Sequence, residues 1–522
     1  MKMTCKAMMT AALLFLPGQL AAQNLKIAME SRLSNLDPIL SASHQTRDHG
    51  YLIYDTLLAL DENQKIQPQM VDRYQVSEDG KIYTFTLRDG LKWHDGAPVT
   101  AGDAIASIKR WGQRDRMGTE LMTIVSEMKA ADEKTFTITM SEASSVILDA
   151  FAKPSGVTLF IMPERVAATP ISEAITDYTG SGPFKFVADR FEPGSQAYYV
   201  KNEDYVPRSE PASWFAGGKV AYVDSIERIE MPDPLTAINA LNSGEIDYLQ
   251  TIPFDLLPMV PEGGDTHTDQ LDQIGYQLGY RFNSLQQPFD DNLVRQAAMY
   301  AIGQEASMLT QFGDPKFFTL CGAAFGCGLP YESDIMADVV VDSNIEKAKE
   351  LLEQSDYDGE TVLIFHVTDL SSMSSIPLVM AQQLEAVGFK VELQSMDFMT
   401  MLSRRANKGP VSDNGWSIFV TSWHNLEISD PLRSYMISAA GEDGYAGWAS
   451  VPEIEELRQT FLRAVTEDER KAIAADIQKL TYENGVFAPL GSFARISGFG
   501  PGISGALRTP ANVFWNIKKT EG

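Results

Sequence analysis

A chain of 522 residues, 43 of them Lys or Arg and 70 Asp or Glu, is long enough for roughly two to four domains and carries a formal charge of −27. Its 44% hydrophobic and 22% charged content is that of an ordered globular protein, which excludes a disordered or fibrous chain. The acidic balance argues against nucleic acid and anionic lipid as partners, and 3 cysteines are too few for a disulfide scaffold or a multi-thiolate metal site.

Lys2 and Lys6 flank the start of an apolar run, Ala7 to Leu16, which Pro17-Gly18 breaks before the small residues Ala21 and Ala22. This layout predicts a secretory signal peptide over residues 1–22, cleaved after Ala22. The run is too short to cross a hydrocarbon core about 30 Å thick. Cys5 precedes the run, so it cannot be the acylated cysteine of a lipoprotein. The expected mature protein is soluble, exported, acidic and free of a lipid anchor. With Cys5 removed, Cys321 and Cys327 are an even pair in an oxidising compartment, and Gly322 and Gly326 let the short loop between them fold back. A disulfide is expected there.

Along the mature chain, Asn24 to Glu30 reads as a strand and Tyr51 to Leu60 as a helix. Ile82 to Leu87 alternates as a strand after the Ser77–Lys81 turn. Thr100 with Asp103 signals a capped helix to about Trp111, and Glu133 to Met140 is another strand. Residues 58–177 therefore look like a small α/β unit. A new strand starts at Phe184. Ser225 to Met231, Leu235 to Ser243 and Ile246 to Gln250 read as strand, helix and strand, with Gly244 ending the helix. That βαβ pattern implies parallel strands. A third region opens with the strand Tyr276 to Phe282 and the amphipathic helix Asp291 to Ile302. The helix Ile345 to Leu352, the strand Thr361 to Val367, the helix Ile376 to Val387 and the strand Phe389 to Leu393 follow. Ile454 to Val465 and Glu467 to Tyr482 are long helices with charged faces.

No nucleophile elbow, Walker loop, H-E-x-x-H or C-x-x-C is present. Gly500-Pro501-Gly502-Ile503-Ser504-Gly505 matches G-x-G-x-x-G, but it contains a proline and leaves no room for a following helix and strand. Asp61-Glu62-Asn63 starts like a calcium loop, but Lys65 and Ile66 occupy the later ligand and glycine positions. Among the histidines only His44 and His49 approach metal-ligand spacing, and a solvated polar loop accounts for them as well. A large exported chain without a catalytic constellation points to binding, with no enzyme activity, metal or cofactor expected.

Several long motifs then carry a resemblance. They include Tyr54-Asp55-Thr56-Leu57-Leu58, Ser77-Glu78-Asp79-Gly80-Lys81, and Leu87-Arg88-Asp89-Gly90-Leu91-Lys92-Trp93-His94-Asp95-Gly96 with Ala97 to Asp103. Gly180-Ser181-Gly182-Pro183-Phe184, Asn202 to Tyr205, Ala240 to Asp247 and Pro288 to Asp291 with Val294 to Ala297 follow in order. Together they resemble the family 5 solute-binding proteins of ABC importers, the dipeptide and oligopeptide receptors. The resemblance implies an α/β, two-lobed periplasmic-binding-protein fold, the large three-domain type II variant, with a hinged cleft between lobes. It implies residues 23–57, 178–270 and 488–522 as the first domain, 58–177 as an extra domain of the same lobe, and 271–487 as the second lobe. It also implies a periplasmic monomer that captures a short peptide or peptide-like solute and delivers it to an inner-membrane permease and its ATPases.

In that family a Trp-containing segment ending in Asp-Pro lines the cleft, and here it is Thr421 to Pro431. Trp423, His424, Asn425 and Glu427 are the ligand-binding candidates it supplies. The Asp that peptide-binding members often place three residues after the Trp is Leu426 here, so Glu427 is expected to meet a ligand ammonium instead. Trp416 is a further candidate, although a strand core suits it too. Arg114, Met117 and Thr119 fall where relatives place ligand-contacting loop residues, and Arg32 and Leu33 lie in a segment able to offer backbone groups to a peptide. The missing Asp leaves open a non-peptide solute such as an opine, glycoside or metal chelate. An exported hydrolase or a chaperone is the alternative from another class.

Overall fold

The computed structural model describes residues 23–261 and 265–520. The expected signal peptide lies outside the described residues. Among them, three sheets organise the molecule. The first has the strand order Phe184–Phe186, Gln196–Lys201, Ser225–Glu230, Asn24–Met29, Tyr248–Leu249, Ser497–Phe499, His267–Asp269. Asn24–Met29 lies between Ser225–Glu230 and Tyr248–Leu249 and runs parallel to both, so the two expected βαβ strands are parallel but not adjacent. Their connecting helix, Pro234–Asn242, is capped by the Asp233 side chain, with proline in its first turn.

A four-stranded antiparallel sheet, Val71–Val76, Ile82–Leu87, Thr135–Met140 and Val125–Ala130 in spatial order, forms the extra domain. The helix Ala101–Trp111 packs against it and begins with the expected capping box, in which Thr100 and Asp103 satisfy each other's backbone N–H groups. The third sheet orders Phe318–Thr319, Ala488–Phe493, Tyr276–Phe282, Ile418–His424, Thr361–Val367 and Lys390–Met396. It is the centre of the second lobe.

Three expectations need correction. The expected helix over Tyr51 to Leu60 is instead the end of the helix His44–Ile53, followed by the strands Asp55–Thr56 and Leu58–Leu60. Residues 51–60 are all buried, and an apolar run buried on every side has no period to separate helix from strand. His44 and His49 do not lie in a solvated loop, because both belong to this helix and His49 is buried against the Tyr199 hydroxyl at 2.8 Å. The third correction concerns the domain boundary at 488. Ala488–Phe493 pairs with Tyr276–Phe282, so it belongs to the second-lobe sheet and the chain returns to the first sheet only at Ser497.

The lobes are thus joined by two short crossings, residues 270–275 and 494–496. Asp272 braces the first: one oxygen accepts from the Ile274 and Gly275 N–H groups at 3.0 Å, and the other faces His424 Nε2 at 3.0 Å. Arg495 braces the second, lying 4.2 Å over the Tyr276 ring and bonding Glu30 at 3.1 Å. Away from the crossings the extra domain touches the second lobe directly. Ser144 donates to the Leu462 carbonyl at 2.6 Å, and Arg470 pairs with Asp149 at 3.0 Å. The molecule is in a closed arrangement.

Candidate functional site

Closure leaves a cavity of about 1390 Å³ between the lobes. That exceeds the roughly 300–1,000 Å³ common for small-molecule pockets. The first domain contributes Arg32, Ser34 and His44, and the extra domain Arg116, Met117, Lys153 and Ser155 to Val157. The second crossing contributes Arg495, and the second lobe contributes Tyr276, Arg405, Trp423, Glu427, Arg433 and Tyr435. A ligand inside therefore meets both lobes.

One wall is aromatic. Trp423, near the end of the central strand Ile418–His424, stacks on Tyr435 with ring centroids 5.6 Å apart and planes at 24°. Tyr445 backs this pair without lining the cavity, meeting Tyr435 at 5.9 Å and Trp423 edge-on at 6.4 Å. Such a wall suits a planar or apolar part of a solute. Arginines flank it: Arg116 lies 4.8 Å over Tyr435 and Arg405 5.1 Å over Tyr445.

Glu427 occupies the opposite electrostatic role. It sits in a single turn, Asn425–Glu427, and its carboxylate reaches the other lobe. Oε1 accepts the Gly156 N–H at 2.7 Å, and both oxygens face His44 Nε2 at 3.0 and 3.1 Å. Burial alone would raise its pKa, but His44, Arg47 and His424 outweigh burial and hold it down to about 2. Gly156 must be glycine here, because a Cβ would stand 2.4 Å from the Ala42 carbonyl oxygen and 3.3 Å from Glu427 Oε1. Lys153 is buried beside Asp115 at 2.6 Å; burial lowers its pKa more than Asp115 restores it. Among the described residues no cluster of three or more His, Cys, Asp or Glu side chains is placed to hold a metal. No described helix is long and apolar enough to cross a membrane.

Of the sequence-selected residues, Trp423, Glu427, Arg32 and Met117 line the cavity. Six do not. Trp416 is fully buried among Phe365, Phe419 and Trp448, with its indole N–H on the Arg405 carbonyl. Leu33 is also fully buried, in the first-lobe core. His424 and Asn425 turn toward the crossing: His424 holds Asp272, and Asn425 Nδ2 donates to the Ile274 carbonyl at 2.8 Å. Arg114 reaches back to the Leu40 carbonyl at 3.1 Å, and the Thr119 hydroxyl serves its own helix turn at Asp115 O. Strand alternation explains the first group, since Trp423 and His424 are neighbours on opposite faces of one strand. Sequence reasoning passed over His44, Gly156, Arg405, Tyr435 and Arg116. Arg116 was within reach, because it lies between the selected Arg114 and Met117 and opens the helix Arg116–Met122.

A two-lobed α/β molecule, joined by two crossings and closed on a cavity walled by both lobes, is a solute-binding protein of the periplasmic-binding type. The model of the bacterial extracellular solute-binding proteins, family 5 middle region, matches residues 65–445. The chain belongs to that family. A probable peptide ABC transporter periplasmic-binding protein of Sinorhizobium fredii, y4tO, is 36% identical over 504 residues, covering 96% of this chain and 94% of that one. The glutathione-binding protein GsiB of Pectobacterium atrosepticum is 27% identical over 416 residues, 77% and 75% of the two chains. Among solved structures, AgaA of Agrobacterium tumefaciens in complex with agropinic acid superposes with a TM-score of 0.78 at 24% identity, covering 96% and 99% of the two chains. DppA of Helicobacter pylori with the peptide STSA gives 0.77 at 20%, covering 96% and 99%. These two establish likeness of fold.

Proposed function

We propose that this protein is the periplasmic receptor of an ABC importer, holding a short peptide or peptide-like solute between its lobes and presenting the closed form to an inner-membrane permease and its ATPases. The observation that carries this reading is the cavity of about 1390 Å³ enclosed by residues of both lobes. A solute shifts an open–closed balance only by its differential affinity for the two forms, and one that touches both walls has that difference by construction. The names of two similar relatives, a probable peptide ABC transporter periplasmic-binding protein and a glutathione-binding protein, support a peptide-like cargo.

In this reading the protein catalyses nothing, acts as a monomer, and is exported through the segment 1–22. The Cys321–Cys327 pair, placed as a disulfide with its Cα atoms 5.8 Å apart, forms in the oxidising compartment. Thermal shift against a solute library tests the assignment. A true ligand adds RT ln(1 + [L]/Kd) of stability, about 2.7 kcal/mol at a hundredfold excess over Kd. Failure of every peptide-like solute to raise the melting temperature, together with turnover of reporter substrates, would replace the receptor by a hydrolase.

A further inference from the structure

The lobes also meet along a seam that lies outside the cavity. It runs between the extra domain and the helices Pro452–Arg463 and Glu467–Glu483 of the second lobe. Side chains cross it in turn. Gln459 Nε2 donates to Glu120 Oε2 at 2.9 Å, and Ser144 Oγ to the Leu462 carbonyl at 2.6 Å. Arg463 Nε donates to Glu142 at 3.1 Å, and Arg470 Nη1 to Asp149 Oδ2 at 3.0 Å. None of these residues lines the cavity.

The contacts differ in weight. The Arg463 and Glu142 side chains are 42% and 43% exposed, so water screens their attraction. The others are better sheltered. Ser144 is buried and fixed in its own domain, its carbonyl accepting the Tyr83 hydroxyl at 2.9 Å. The Leu462 carbonyl is one of the last four of its helix and has no intrahelical N–H to accept, so the other lobe supplies the donor. Asp149 has Arg470 as its one ion-pair partner among the described residues, and Arg433, a cavity-lining residue, adds to the attraction. Burial raises the Asp149 carboxyl against the pull of these two arginines, so removing Arg470 leaves a sheltered charge short of its partner.

The seam backs the two extra-domain elements that wall the cavity. Glu120 belongs to the helix Arg116–Met122, whose first two residues line it. Asp149 belongs to the helix Val146–Ala152, which leads straight into Lys153 and Ser155 to Val157. Each element therefore turns one end to the cavity and fixes the other to the opposite lobe. We propose that the extra domain is a clasp, in which Ser144 and Asp149 grip Leu462 and Arg470, hold the lobes closed whatever solute lies between them, and so set the affinity for all solutes alike. This goes beyond the receptor reading and rests on it only for the effect on affinity. A contact made in the closed form alone favours closing by its own free energy, and a solute that needs the closed form binds more tightly by the same factor. Ser144, Glu120 and Asp149 are positioning residues, and the ranking of one solute against another belongs to the cavity wall.

Distances between nitroxide labels test the clasp without any solute. One label is placed at Lys129→Cys in the extra domain and one at Lys479→Cys in the second lobe, both exposed positions, and the pair is read by pulsed dipolar spectroscopy. Solute-free protein should show a short-distance, closed population. Asp149→Arg sets like charge against Arg470 and Arg433 and should remove most of it. The swap Asp149→Arg with Arg470→Asp should bring part of it back, which a merely structural role of Asp149 would not do. Should Asp149→Arg fail to fold, Arg470→Gln on the other lobe makes the same test. A panel of di- to tetrapeptides then reads affinity by calorimetry. Asp149→Asn or Arg470→Gln should weaken every binder about tenfold, the loss of one charge-assisted hydrogen bond, with the ranking kept and the dissociation rate carrying the change. Glu142→Gln should stay within about twofold. Distances identical in wild type, Asp149→Arg and the swap, or losses confined to particular peptides, overturn the clasp and leave the receptor standing. Failure of every peptide to bind overturns the peptide receptor, while the nitroxide distances still decide the clasp.

Discussion

The Glu427 carboxylate of the second lobe and the His44 imidazole of the first face each other at 3.0 Å across the cleft. The same carboxylate takes the Gly156 N–H from the extra domain. One side chain therefore ties the second lobe to both domains of the first. Its place is that of a latch holding the closed form, not of an open acceptor for a ligand charge.

Glu427→Gln should weaken binding of every solute, whatever its own charge, because it loosens closure. Gln keeps one acceptor oxygen but loses the charge-assisted bonds, so the expected loss is about 1–3 kcal/mol. N-acetylation of a bound peptide should cost the same in parent and variant. Calorimetric titration of the four combinations measures this; a coupling above about 1 kcal/mol would return Glu427 to the role of ammonium partner.

The latch also has a pH signature. The closed-form pKa of Glu427, about 2, lies below the ordinary 4.5. A depressed carboxyl contributes fully above its ordinary value, and its contribution is lost as pH falls from 4.5 toward about 2. The facing groups are His44, the Gly156 N–H, Arg47, His424, Tyr276, Lys153 and Tyr435. With ligand bound, small-angle scattering should report a constant radius from pH 7 to about 5 and an increase below about 4, before near-ultraviolet dichroism shows unfolding. In Glu427→Gln that acid-induced opening should be absent, and an identical profile in both proteins would assign it to other groups.

How far the sequence reached depended on the separation of the interacting residues. Thr100 and Asp103 announce their helix because a capping box needs only residues three apart, and Gly388 marks a helix end because its φ of 112° is left-handed. The first strand was legible from its apolar content, but its place between Ser225–Glu230 and Tyr248–Leu249 is set by pairing some 200 residues away and leaves no local trace. The site shows the same limit. The segment containing Trp423 and Glu427 was found by resemblance, but the partners that define Glu427 lie 383 and 271 residues distant. Arg405 and Arg116 join the site only through the fold, which brings both to the cavity. His424, beside Trp423 in sequence, was misplaced because neighbouring strand residues face opposite ways.

Cys321 is buried in the second lobe, with its N–H on Gln304 Oε1 at 2.8 Å, and Gln304 Nε2 returns to the Cys321 carbonyl at 2.8 Å. The loop to Cys327 is short, so closing it should stabilise by about 2 kcal/mol on the chain-entropy estimate. Cys327→Ser should lower the denaturant midpoint accordingly and leave ligand affinity unchanged, since neither cysteine lines the cavity. Thiol titration of unreduced, unfolded mature protein should give close to zero, and two reactive thiols would remove the crosslink from the account.

Trp416 precedes the strand Ile418–His424 and Trp423 lies within it, and their substitutions should separate stability from binding. Trp416 is fully buried, packed at 5.0 to 6.1 Å from Phe419, Trp448 and Phe365, and donates its N–H to Arg405 O. Removing it empties a large volume and orphans a carbonyl, so Trp416→Ala should cost about 3–5 kcal/mol of stability. Trp423 is partly exposed to the cavity and leans on Tyr435 and Tyr445. Trp423→Ala should cost little stability, about 1 kcal/mol, but about 1–3 kcal/mol of ligand affinity, as the solute loses a flat apolar face. Denaturant unfolding and calorimetry on both variants check the pair. The Trp416 carbonyl also accepts from Asn283 Nδ2 at 3.1 Å, but that bond involves backbone and survives the substitution, so the stability loss reports the side chain. If Trp423→Ala binds the best panel solute as tightly as the parent, the aromatic wall is structural and the solute lies against another face of the cavity.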